Sequence, residues 1–187
     1  MIMSTKTKDS ALSGLLSSAI TVRKVRGQVV VTNRARPRPK PTDKQLEAQK
    51  KFLEAAQYAT QQIGLDDSKV LYTTGITPKK GSAYLVALSD YLNPPTVEWI
   101  DATDYHGAAG DAIMVKAVDD FMVTRVKVVI LDAQGAELES GDAGPDALRV
   151  NQWLYKAQVS NPALAGTTIR AIAYDRPGNS KTLDKVL

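Results

Sequence analysis

The sequence predicts an α+β chain in several parts: an all-β sandwich over residues 94–187, a short helical region over 42–93, and an extended basic arm with a β-hairpin over 1–41. Three observations predict it. Apolar residues recur with helical spacing up to Leu92 and with a period of two after Asn93-Pro94-Pro95. Residues 34–41, Arg-Ala-Arg-Pro-Arg-Pro-Lys-Pro, alternate prolines that fix φ and remove backbone donors, which leaves only an extended tether. Charge divides along the same lines. Residues 1–45 hold ten Lys or Arg against two acids, a balance of +8, and the remainder holds fourteen against eighteen, a balance of −4.

In chain order, residues 1–19 are rich in Ser, Thr and Lys and lack a period. The β-branched runs Ile20–Val25 and Gln28–Thr32 flank Arg26-Gly27 and read as a hairpin. A lone two-stranded unit is marginal in water and needs another sheet or subunit to lean on. Thr42 and Gln45 form a capping box that starts a helix, whose stripe is Ala48, Phe52, Ala55, Ala59 and Ile63 and whose stop is Gly64. Asp66 is read as the cap of a second helix ending near Gly75. Ser82 is read as the cap of a third through Leu92, apolar nearly all round and so expected to be buried. Strands are then expected at 96–101, 111–118, 123–132, 136–141, 150–159, 167–174 and 179–186, with Asp132–Gly135 a hairpin turn and Asp142–Asp146 a loop. Trp153, Tyr155, Ala157 and Val159 fall on one face of the fifth strand, which places Trp153 in the core.

Composition removes several kinds of chemistry. Without cysteine there is no disulfide, thiolate nucleophile or Cys-ligated metal. No stretch reaches the ~20 apolar residues of a membrane span. Lys6 and Lys8 precede a short apolar run, Ala11–Leu16, that Ser13 and Gly14 interrupt, and no small-x-small cleavage site follows. The cytoplasm is therefore the default compartment, with an assembled particle or a cell surface as the other settings.

The one histidine, His106, has Asp104 nearby but no serine in a nucleophile-elbow context, and reads as a solvated loop residue. Asp119, Asp120, Asp175 and Asn179 fall in loops at one pole of a sandwich. Oxygen ligands of this kind suit Ca²⁺. The plainer reading pairs Arg176 with Asp119 or Asp120 and leaves Gly178 and Asn179 to make a turn. No phosphate-binding loop, dinucleotide fingerprint or zinc-protease motif occurs. Neither a catalytic site, a cofactor, a metal nor a small-molecule substrate is therefore expected.

Gly110–Ala117 resembles the second strand of bacterial immunoglobulin-like domains, and so does Ala171–Asn179 with its alanine-rich strand, aspartate and Pro-Gly-Asn turn. The resemblance covers about half the chain and implies an immunoglobulin-like sandwich at 94–187. It implies little about activity, because such domains serve as spacers, adhesin modules and virion decorations. The N-terminal half is similar to conserved Bacteroidota proteins of unknown function at Val25–Val30, the Arg/Pro run, Gln49, Phe52, Ser82–Tyr84 and Asp90–Leu92.

The expected function follows from the arm. Arg23, Lys24, Arg26, Arg34, Arg36, Arg38 and Lys40 crowd into eighteen residues beside the apolar Val29 and Val31. The leading expectation is a non-enzymatic structural or assembly protein, a homo-oligomer whose arm docks on neighbouring subunits. The first alternative is a nucleic-acid-associated protein binding phosphates through residues 23–40, although the arm has no stacking aromatics. The second is a surface or carbohydrate-binding module.

Overall fold

The computed structural model describes residues 20–25, 28–33 and 40–187 and divides into two compact units, Met1–Leu46 and Glu47–Leu187. In the first, β1 (Ile20–Val25) and β2 (Gln28–Asn33) pair antiparallel, with Val31 opposite Val22 and Val29 opposite Lys24. The expected turn at Arg26-Gly27, the Ser/Thr/Lys-rich start and most of the proline tether lie outside the described residues.

Three helices are described: α1 (Asp43–Ile63), α2 (Asp66–Thr73) and α3 (Ala83–Leu92). The capping box forms. Thr42 N–H donates to Gln45 Oε1 at 3.0 Å and Gln45 N–H to Thr42 Oγ1 at 3.4 Å. Only part of the expected α1 stripe is buried: Ala55 and Ala59 are enclosed, whereas Phe52 is 54% exposed. For α2 the cap differs from expectation. Leu65 occupies the cap position without a side-chain bond, and Asp66 is already the first helical residue, where its charge favours the positive end of the helix dipole. Ser82 does cap α3, its Oγ accepting from Leu85 N–H. That helix buries Val86, Ala87 and Asp90 but leaves Leu85 exposed, so it is covered on one side rather than all round.

Seven strands follow: β3 (Thr96–Asp101), β4 (Ala112–Val118), β5 (Val123–Leu131), β6 (Glu137–Pro145), β7 (Gln152–Lys156), β8 (Thr168–Asp175) and β9 (Ser180–Val186). They form one antiparallel sheet in the order β3-β4-β7-β6-β5-β8-β9. The ends of that order approach each other, and Lys185 Nζ on β9 donates to the Ile100 carbonyl on β3 at 3.1 Å. The result is a nearly barrel-like, β-sandwich-like fold. Its core is the expected alternation: Ile113, Val115 and Ala117 on β4, Val126, Val128 and Ile130 on β5, and Ile169, Ala171 and Ala173 on β8 are all closed to solvent.

Two local expectations fail for identifiable reasons. Asp142–Asp146 is not a loop: β6 runs on to Pro145, pairing with β5 from Glu137 to Ala143 and then with β7 through Gly144 and Pro145. Gly144, which read as a turn residue, instead lies where the strand changes partners. A Cβ on Gly141 would stand 2.9 Å from the Tyr155 ring. The fifth strand is shorter than 150–159 because Asn151 takes a left-handed φ of 61°. At its other end, Gln158 and Val159 give their N–H groups to Glu139 rather than to a neighbouring strand. Trp153 is accordingly only partly buried, while Tyr155 and Ala157 are enclosed.

Candidate functional site

The most unusual chemistry in the described residues is a knot of three aspartates from three separate elements. One carboxylate oxygen each from Asp90, Asp119 and Asp175 lies within 4.8 Å of the other two. Asp90 arrives on α3, two turns beyond the Ser82 cap, on the same face as Val86 and Ala87. Asp119 follows β4, where its Oδ2 accepts from the N–H groups of Phe121 (3.3 Å) and Met122 (2.9 Å) and shapes the turn into β5. Asp175 ends β8. Its Oδ1 accepts from Gly178 N–H at 2.9 Å and Asn179 N–H at 2.6 Å, and its Oδ2 from Asn179 Nδ2 at 2.7 Å.

A second layer of phenols surrounds Asp90. Tyr72, from α2, donates its hydroxyl to Asp90 Oδ2 at 2.6 Å and lies 2.7 Å from the Tyr58 hydroxyl of α1. The Tyr72 ring stacks on Phe121 at 4.7 Å between centroids. Gly75 permits that contact, since a Cβ there would come within 2.8 Å of both Phe121 and Val86. Arg176 donates to Ser68 Oγ at 2.6 Å and lies over the Tyr72 ring at 5.7 Å.

Burial dominates the electrostatics. Asp90 is 0% exposed, and desolvation pushes its pKa up to about 7, against the bond from Tyr72; the charges of Asp119 and Asp175 push the same way. Desolvation also raises Asp175, opposed by its bonds from Asn179 and Gly178. Burial holds the Tyr72 phenol well above its ordinary value, reinforced by its bonds to Asp90 and Tyr58. Asp90 Oδ1 and Asp119 Oδ1 are both buried and have no hydrogen-bond donor among the described residues.

The sequence-derived candidates separate in space. Asp175 and Asn179 do make the turn together. Asp120 does not join the cluster. Its carboxylate instead forms an ion pair with Lys80 at 2.6 Å and accepts from Ser89 and Asn93. Although burial opposes it, these partners hold its pKa below the usual carboxylate value. Arg176 pairs with neither Asp119 nor Asp120, because α2 offers it Ser68 and the face of Tyr72 instead. Asp90 was missed by sequence reasoning. Its signal was present as a carboxylate in the middle of an otherwise apolar helix, Ala-Tyr-Leu-Val-Ala-Leu-Ser-Asp-Tyr-Leu.

His106 is exposed, and its backbone N–H, with that of Ala108, donates to Asp111 Oδ2. Among the arm residues, Arg23 and Lys24 belong to β1, Val29 and Val31 are exposed on β2, and Lys40 is exposed. Arg26, Arg34, Arg36 and Arg38 lie outside the described residues.

No protein-family model matches the chain, so neither resemblance read from the sequence gains a family assignment, and no curated protein matches it. Among solved structures, the crystal structure of an engineered protein is similar at 15% identity with a TM-score of 0.35. The match covers 49% of this chain and 19% of that one, so it carries no argument about fold or function. No helix among the described residues is long and apolar enough to cross a membrane.

Proposed function

We propose that this chain is a non-enzymatic structural or assembly protein whose basic N-terminal arm docks, through the β1–β2 pair, on a second copy of itself. The observation that carries the proposal is the exposure of Val29 and Val31, 67% and 57%, on a strand whose sheet has two members. Two strands alone bury too little apolar surface to be independently stable, and their open edges are templates for strand addition. The charge balance supports the same partner. An arm of +8 and a remainder of −4 attract each other between copies.

The carboxylate cluster does not favour catalysis, because Asp90 is closed to solvent and its Tyr72 neighbour is enclosed with it. Residues 94–187 enter the proposal as an immunoglobulin-like interaction module. Support comes from the strand order, in which β3-β4-β7 and β6-β5-β8-β9 form the two halves and β6 passes from one to the other.

The test is solution mass by light scattering on the full chain at low and high salt. Self-association in low salt should weaken as ions screen it over ~10 Å at 0.1 M. Replacing Val29 and Val31 together by Lys keeps the arm basic and removes the apolar face, and should leave a monomer. If the full chain is monomeric at low salt and shifts to a complex only on adding DNA or RNA, the assembly reading fails and the nucleic-acid reading replaces it.

A further inference from the structure

Asp90, Asp119 and Asp175 lie on a seam between helices and sheet where three formal negative charges meet, and among the described residues no cationic side chain is bonded to any of them. The hydrogen bonds of the surrounding chain go to four of the six carboxylate oxygens. Tyr72 serves Asp90 Oδ2, the β4–β5 turn serves Asp119 Oδ2, and Asn179 with its neighbours serves Asp175. The two oxygens left over, Asp90 Oδ1 and Asp119 Oδ1, are buried and receive no donor among the described residues. Leaving such buried carboxylate oxygens unpaired is expensive, which favours a positive occupant at the cluster.

We propose that the three carboxylates form a structural site for a hard divalent cation of the Ca²⁺ class, which clamps α3 to the β4–β5 turn and the β8–β9 turn. The dimensions fit. Oxygens bound at roughly 2.3–2.6 Å to one ion stand at most about 5 Å apart, and the three here fall within 4.8 Å of each other. The chemistry fits as well, since carboxylate oxygens with no nitrogen or sulfur donor suit Ca²⁺ or Mg²⁺ over softer metals. Asp175 is already oriented by three hydrogen bonds and Asp119 by two, so both are held in place before the ion arrives. The rival occupant is a proton shared between Asp90 and Asp119, and the experiment is chosen to separate the two.

Full-length protein is stripped with EDTA, exchanged into metal-free buffer at pH 7.5, and unfolded by heat with and without 1 mM CaCl₂. The expected result is a rise in Tm of about 5 °C on adding Ca²⁺. In parallel, Tb³⁺ is titrated with excitation of the tyrosines. Tyr72, bonded to Asp90, should sensitise its emission, and Ca²⁺ should displace it. Asp90→Asn should lose both responses, Asp119→Asn should weaken Tb³⁺ binding at least about tenfold, and Asp120→Asn, outside the cluster, should respond as wild type. Should Asp90→Asn not fold, the wild-type and Asp119→Asn measurements decide. The proposal is overturned if 10 mM CaCl₂ leaves the wild-type Tm unchanged and no Ca²⁺-displaceable Tb³⁺ emission is seen. It is also overturned if Asp90→Asn proves more stable than a Ca²⁺-insensitive wild type, the signature of the shared proton.

Discussion

Ile130 in the sandwich and Asp90 in the helical seam are equally closed to solvent, yet they are held there by different physics. Ile130 belongs to an enclosed cluster with Val115, Val126, Val128 and Ile169, in which Tyr105 and Tyr155 bring phenols but no member is a carboxylate. In the seam, Tyr72, Val86 and Ala87 are as enclosed as the sandwich core, but a phenol and a carboxylate are enclosed with them, and Phe121 from the β4–β5 turn packs against them. An apolar core resists changes of volume and is indifferent to ions. A core built around charge depends on what neutralises it. The sandwich around Ile130 should therefore respond chiefly to truncation, whereas the seam should respond to pH and to bound cations.

The comparison is broken most directly by shrinking the sandwich core. Ile130→Ala should cost about 2–5 kcal/mol in urea unfolding, by the same amount at pH 5 and pH 8 and with or without chelator. A loss that varied with pH would show that the two regions are not separate in their energetics.

The next largest effect belongs to Asp90. Its pKa in the folded chain, about 7, stands above its ordinary value of 3.8, so the folded state binds the proton more tightly. In chelator, stability should then fall as pH rises from about 4 to about 7 and stay low above it, by up to about 4 kcal/mol. The groups facing Asp90 are Asp119, Asp175 and Tyr72, with Arg176 over the Tyr72 ring, and no histidine lies among them. Chemical denaturation at closely spaced pH values measures the slope. A stability that rises over that interval would sink the assignment.

Tyr72→Phe sharpens the point by removing one hydroxyl and little volume. It should cost about 1–3 kcal/mol, since Asp90 then keeps no hydrogen-bond donor. A neutral result at pH 7.5 in chelator would mean that the phenol is not what holds the carboxylate. Smallest of all, Phe52→Ala should change stability by no more than about 0.5 kcal/mol in the isolated chain, because that ring is exposed. A larger loss would reveal a surface covering it.

Much of the fold was legible from local pattern. The alternation in Ile113–Ala117, Val126–Ile130 and Ile169–Ala173 located three core strands, and the Thr42/Gln45 box and Ser82 located two helix starts. Reading failed where a residue has two uses. Gly144, in the stretch Asp142–Asp146, looked like a turn residue and proved to lie where β6 changes partners. Trp153 shared the alternation of Tyr155 but sits toward a strand end, where the opposite layer covers it less.

The sequence by itself determined the change of period at Asn93-Pro94-Pro95, the strand faces and the caps, because backbone preference and side-chain alternation act between near neighbours. Only the tertiary structure decided that Asp119 and Asp120, adjacent in the chain, part company, one meeting Asp90 and Asp175 and the other Lys80. Both reach α3, Asp119 at Asp90 and Asp120 at Ser89, and which partner each meets depends on how α3 packs against the β4–β5 turn. That packing is a property of the closed fold, carried by no local run of residues.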